Sequence, residues 1–235
     1  MDQNGGDISA MINLRRKIHS HPEGGFKEVV TQKVLSDTLL SFGVDKKCIK
    51  TCAKTGLVVD IYGTAPADKN SKGCNLVALR TDLDGLPMPE NNQSLPYKTQ
   101  TEFAHMCGHD GHMACLMAAA QVFCANRDKI PKNKGIRLLL QPAEEGPGGA
   151  KPMVEEGCME GVDEVYGFHN IPNFDEGDIR VCEGPFFAAV TIVKIKIIGQ
   201  GGHGSTPHKL SDPISAANAV YSALNCILPR NICSR

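Results

Sequence analysis

A chain of 235 residues, 41% of them hydrophobic, can bury one sizeable core but falls short of two full domains, so one core with an appendage is expected. Twenty-five basic against 26 acidic residues leave a net charge of −1, a field too weak to draw the chain to nucleic acid or a membrane surface. The expected partner is a small molecule or a second protein.

The opening residues carry no apolar run long enough for a secretion signal, and no segment approaches the roughly 20 apolar residues of a membrane span. The ten cysteines are scattered without a repeated CxxC spacing. That pattern fits a reducing, cytoplasmic setting and leaves a thiol-redox role without its reactive pair.

In chain order, DISAMINLRRKIHS (7–20) and EVVTQKVLSDTLLSF (28–42) place apolar residues near helical spacing, the second stopping at Gly43. GLVVDIYG (56–63) and NLVALRTDLDG (75–85) predict strands, the second apolar enough to be covered on both faces. GHMACLMAAAQVFCANRD (111–128) has no internal Gly or Pro and predicts a buried helix. GIRLLLQP (135–142) predicts a third strand that runs into PAEEGPGGA, and EVYGFHN (164–170) a fourth after the helix-like KPMVEEG. Strands alternating with helices imply an α/β layered sheet with crossover connections. From about residue 186 the pattern changes. TIVKIKIIG alternates with period two, predicting a half-exposed strand over about 190–198, followed by the turn GQGGHGSTPH and a helix over about 212–227. The division expected is therefore 1–185 and 186–235.

The polar clusters RTDLDG, HMCGHDGH, QPAEEG and GFHN all fall at strand ends or in the loops after them, where open α/β sheets collect their ligands. Cys107 and His109, two residues apart in a glycine-containing loop, can both reach one ion at the roughly 2.0–2.3 Å that zinc requires. Taken alone the octapeptide is weak evidence: His112 can simply sit on the following helix, and Cys often serves as a small buried hydrophobe. QPAEEG adds Glu144 and Glu145 after an apolar strand, and GFHN adds His169 after the next. Such a carboxylate pair suits one acid anchoring a metal while its neighbour accepts a proton from a water. Asp82 and Asp84 are either a turn-forming pair or an outer layer, in which a carboxylate accepts the second ring N–H of a ligand histidine.

Together "HSHPE", "RTDLDGLPM", "MCGHDGHMA", "QPAEEGPGGAKPMVEEG", "GFHN" and "GGHGSTPH" resemble, in order and spacing, the metal-dependent amidohydrolases of the aminoacylase and carboxypeptidase superfamily. Within it they are most similar to the branch of hippurate hydrolases, N-acyl-amino-acid amidohydrolases and indole-acetyl-amino-acid hydrolases. The resemblance implies a catalytic α/β domain with a mixed sheet and helices on both faces, followed by the start of an inserted lid domain that makes a homodimer. It implies a two-ion centre, zinc or manganese with cobalt or nickel as alternatives, held by Cys107, His109, Glu145 and His169. It further implies Glu144 as general base, and His203 as a lid histidine that stabilises the oxyanion across the dimer. The implied reaction is hydrolysis of the amide bond of an N-acyl amino acid.

Members of this group run well beyond 235 residues and supply a further metal-binding histidine near their C-terminus. The expectation is thus a C-terminally truncated member with little activity, sticky along its lid strand. A catalytically silent metal-binding or dimerising protein is the alternative.

Overall fold

The computed structural model describes residues 5–70, 75–187 and 191–231. The chain forms two compact units, Met1–Asp175 and Glu176–Arg235. The division falls ahead of the 185/186 boundary suggested by the change of pattern, because residues 172–187 are exposed and join no helix or strand.

The first unit opens with α1 (Ile8–His19), which the Asp7 side chain caps by accepting the Ala10 N–H at 3.0 Å. Met11, Leu14 and Ile18 recur at helical spacing and are its buried apolar residues, while Arg16, Lys17 and His19 sit in the last turn, where cations complement the helix dipole. In α2 (Val29–Ser41) the buried residues are Thr31, Leu35 and Leu39. Gly43, at φ +84°, ends it: its N–H donates to the Leu40 carbonyl and the Val44 N–H to that of Leu39, the pair of bonds that satisfies a helix C-terminus.

Five strands follow: β1 (Ile49–Cys52), β2 (Gly56–Tyr62), β3 (Asn75–Asp82), β4 (Lys134–Gln141) and β5 (Val162–Gly167). They form one mixed sheet in the order β1-β2-β4-β3-β5. β2 is antiparallel to β1 and β4, whereas β3 runs parallel to β4 and β5. The two-residue period separates the faces. Leu57, Val59, Ile61, Ile136, Leu138 and Leu140 share one core with α1, α2 and the long helix α3 (His109–Ala125). Val58, Ala78 and Leu139 point the other way, onto Met153 of α4 (Ala150–Glu155) and Cys158. Each fully buried Leu or Ile contributes roughly 1.5–3 kcal/mol over leaving it exposed.

This topology makes a crevice. From β3 the chain crosses by α3 to β4 on one face; from β4 it crosses by α4 to β5 on the other, landing on the opposite side of β3. The loops leaving β3 and β4 therefore diverge at the carboxyl end of the sheet, the place where α/β sheets bind ligands.

Two differences from the sequence reading have simple causes. β1 has only four residues, with one buried, and so carries no apolar run to announce it. In the second unit, residues 191–198 form no strand, contrary to expectation. A period-two pattern specifies a strand only where a neighbouring strand completes the ladder, and Ile192, Val193, Ile195 and Ile198 remain exposed. The expected helix does form, as α5 (Pro213–Asn231), with Asp212 accepting the N–H groups of Ile214 and Ser215 at its start.

Candidate metal centre

Asp82 ends β3 and is fully buried. Arg80 Nη1 donates to its Oδ2 at 2.7 Å and His112 Nδ1 to its Oδ1 at 2.8 Å. Burial raises the pKa of this carboxyl, but the His112 hydrogen bond and the charges of His109 and Arg80 outweigh burial and hold it at about 2.

Two residues on, Asp84 organises the neighbouring loops. Its Oδ1 and Oδ2 accept the backbone N–H groups of Glu144 and Glu145 at 2.9 and 3.0 Å. Its carbonyl oxygen accepts the Nδ1 proton of His109 at 2.8 Å. That bond fixes the Nδ1 proton and leaves Nε2 as the atom that offers a lone pair once the ring is neutral.

His109 Nε2 is buried and has no hydrogen-bond partner. Around it lie Asp82 Oδ2 at 3.6 Å, Glu145 Oε1 at 3.8 Å and Glu144 Oε2 at 3.9 Å. An unsatisfied buried polar atom costs about 1–3 kcal/mol, and a ring nitrogen facing three carboxylates is satisfied by positive charge, a proton or a metal cation that replaces it. The donor atoms support that reading: those of Asp82, His109, His112 and His169 lie within 4.8 Å of one another, as do those of Cys107, His109 and Glu145. His109 belongs to both sets. Imidazole, thiol and carboxylate donors so arranged fit one or two divalent ions.

Local backbone explains the convergence. Gly108 adopts φ +91° at the turn into α3, a conformation that strains any other residue, and a Cβ there would lie 2.2 Å from Asn170 Oδ1 and displace that amide. Asn170 in turn donates its N–H to His112 Nε2 at 3.1 Å and accepts the His169 Nδ1 proton on its carbonyl at 2.8 Å. His169 Nε2, left as an acceptor, receives the Cys107 thiol at 3.4 Å. Burial, then the Glu145 and Glu144 carboxyls, push that thiol up to about 12.

The structure thus groups Cys107 and Glu145 with His109 in one donor set and His169 with His109, Asp82 and His112 in the other, Cys107 touching His169, while Glu144 faces His109 and Asp84 holds its ring. His203 lies in the second unit, exposed, with Nδ1 2.7 Å from Ser205 Oγ and accepting the Ser205 N–H. Sequence reasoning passed over His112, which stands three residues after His109 and therefore on the same face of α3; that spacing was the available signal. The octapeptide's other histidine, His105, belongs to neither donor set, and burial lowers its pKa to about 4.

The sequence profile of peptidase family M20/M25/M40 matches residues 78–227. Over 218 residues the chain is 41% identical to thermostable carboxypeptidase 1 of Saccharolobus solfataricus, covering 90% of this chain and 53% of that protein. Over 222 residues it is 39% identical to the hippurate hydrolase of Campylobacter jejuni, covering 93% and 54%. The chain spans about half the length of the curated relatives it matches. Among solved structures, the Bacillus subtilis YXEP protein, described as a dinuclear metal binding peptidase from the M20 family, superposes with a TM-score of 0.66 at 33% identity, over 75% of this chain and 47% of that one.

Proposed function

The chain belongs to peptidase family M20/M25/M40, and on that premise we propose that it carries the metal centre of an amidohydrolase that cleaves N-acyl amino acids of the hippurate type to a carboxylic acid and a free amino acid. The single observation that carries the reading is the buried, unpartnered Nε2 of His109 facing three carboxylates.

Cys107, His109, Glu145 and His169 would hold the metal, with Asp82 beside them and Asp84 fixing the orientation of His109. The hippurate hydrolase relative and the dinuclear metal binding neighbour support this assignment. Zinc suits the thiolate and imidazoles, and the carboxylates also admit manganese, cobalt or nickel. When bound, a divalent ion polarises a carbonyl oxygen and lowers the pKa of a water from about 15.7 towards roughly 7. Glu144 is the general base. Its side chain is 39% exposed against 26% for Glu145, so it borders the open side of the site, where water and substrate enter. It takes one proton from the attacking water and passes it to the departing amine nitrogen as the C–N bond breaks.

His203 is assigned to the oxyanion of a second copy's substrate, in a homodimer formed through the second unit. A polarised donor there stabilises the charge that develops on the carbonyl oxygen. The balanced charge of −1 and the lack, among the described residues, of any helix long and apolar enough to cross a membrane agree with a cytoplasmic enzyme acting on a small molecule.

The test is metal analysis of the purified chain together with release of free amino acid from acylated substrates, using Glu144→Gln as control. Bound divalent metal is expected, with weak turnover that the substitution abolishes. Turnover that survives Glu144→Gln would remove Glu144 as base, and a chain that binds metal yet hydrolyses no acyl amino acid would contradict the assigned reaction.

A further inference from the structure

The geometry points to Glu28 as a positioning residue for the Glu144–Glu145 turn, acting through the backbone of Ala143. Glu28 stands at the N-cap of α2, where a side chain ordinarily accepts a helix N–H, yet it makes no capping bond. Glu23 fills that need instead, its Oε1 and Oε2 accepting the N–H groups of Val30 and Thr31 at 3.1 and 2.9 Å. The Glu28 carboxyl is thereby released to point inward, and it is fully buried.

There its Oε1 accepts the Ala143 N–H at 2.8 Å and its Oε2 accepts the Thr55 hydroxyl. Ala143 is a non-glycine residue at φ +51°, a left-handed conformation that costs an L-residue roughly 1–2 kcal/mol and persists only when its surroundings enforce it. Its carbonyl is held as well, accepting the N–H groups of Gly148 and Gly149 at 3.0 and 3.1 Å. Three consecutive backbone N–H groups, those of Ala143, Glu144 and Glu145, therefore end on two carboxyl groups: Glu28 for the first, Asp84 for the others.

The loop before α2 is fitted to this turn at a second point. A Cβ on Gly25 would lie 2.8 Å from the Ala143 Cβ and 2.5 Å from the Gly146 carbonyl oxygen. Glu28 thus sets the direction in which the chain leaves β4 and with it the aim of the two glutamate side chains. Its effect on the ion rests on the metal centre proposed above; its effect on the turn does not.

The experiment compares the full chain with Glu28→Leu, Glu28→Gln and Thr55→Val, reading amide hydrogen exchange at residues 143–145 by NMR and zinc affinity by titration. Leu removes both acceptors. Exchange at Ala143 should accelerate and zinc should bind about tenfold more weakly, the usual scale for losing an outer support. Gln keeps an oxygen for the Ala143 N–H and should restore both readings to near wild type. A carboxyl that only filled the core would, as Leu, shift the melting temperature and leave zinc affinity and exchange at 143–145 unchanged; that result overturns the inference. Should Glu28→Leu fail to fold, Thr55→Val decides: faster exchange at Ala143 is expected, and unchanged exchange counts against the role. If the wild type binds no zinc, the metal centre is what fails, and exchange alone still judges Glu28.

Discussion

Asp84 holds His109 from behind: its carbonyl oxygen accepts the Nδ1 proton at 2.8 Å, so Nε2 is the ring atom turned to the donor set. The same residue's carboxylate holds the turn that carries Glu144 and Glu145. Replacing Asp84 with Ala frees that turn and leaves two backbone N–H groups without acceptors. Zinc affinity should fall about ten- to a hundredfold, as isothermal titration would show, while loss of less than threefold would mean the loop holds itself.

Ion uptake should release protons. Without an ion, burial lowers the His109 pKa, but the Asp84 hydrogen bond and the charges of Asp82 and Asp84 outweigh burial and raise it, and the Cys107 thiol stands at about 12. Both groups bind a cation only after losing their proton, so affinity rises with pH. Calorimetry in buffers of different ionisation heat should give buffer-dependent enthalpies. Heats that do not depend on buffer would exclude Cys107 thiolate as a ligand.

Away from the centre, His19 places Nδ1 2.8 Å from Asp110 Oδ2 and Nε2 3.2 Å from Glu90 Oε1. The Asp110 hydrogen bond raises its pKa, burial opposes, and Glu90 adds to the rise. A raised folded pKa means that stability is complete below the unfolded value of about 6.5 and is lost as pH climbs through the folded value. The advantage of wild type over His19→Gln in urea unfolding should therefore be larger at about pH 5.5 than at about pH 9. An advantage independent of pH would show that the ring acts by packing alone.

Gly108→Ala tests the turn into α3. The added Cβ meets Asn170 Oδ1 at 2.2 Å on a backbone at φ +91°. Strain of at least about 1–2 kcal/mol is expected from the left-handed backbone alone, together with weaker ion binding as Asn170 releases His112 and His169. A thermal melt and a zinc titration read both effects, and an unchanged pair would mean the loops give way without cost.

Much of this was legible beforehand because apolar runs and strand-end polar clusters both leave marks in sequence. The runs over β2 and β4 are buried on both faces, whereas β3, expected to be covered on both, buries Leu76 and Ala78 on one face and leaves Val77 and Leu79 half-buried on the other; the octapeptide's Cys107 and His109 stand out by density alone. What was not legible depends on partners far along the chain. Glu28 stands where a helix-capping acid would, but Glu23 takes the N–H donors of Val30 and Thr31, and the partners of Glu28 lie 27 and 115 residues away. His112 reads as a helix residue because Asp82 and Asn170 are distant in sequence. The alternation at 191–198 announces a strand whose pairing the pattern cannot supply.

The most direct test of the centre is zinc-edge anomalous diffraction from crystals of the chain grown with zinc. The strongest anomalous peak should lie about 2.0–2.3 Å from His109 Nε2, with Cys107, Glu145 or His169 completing the shell. A peak elsewhere, or none at this site while zinc is present in excess, would contradict the account.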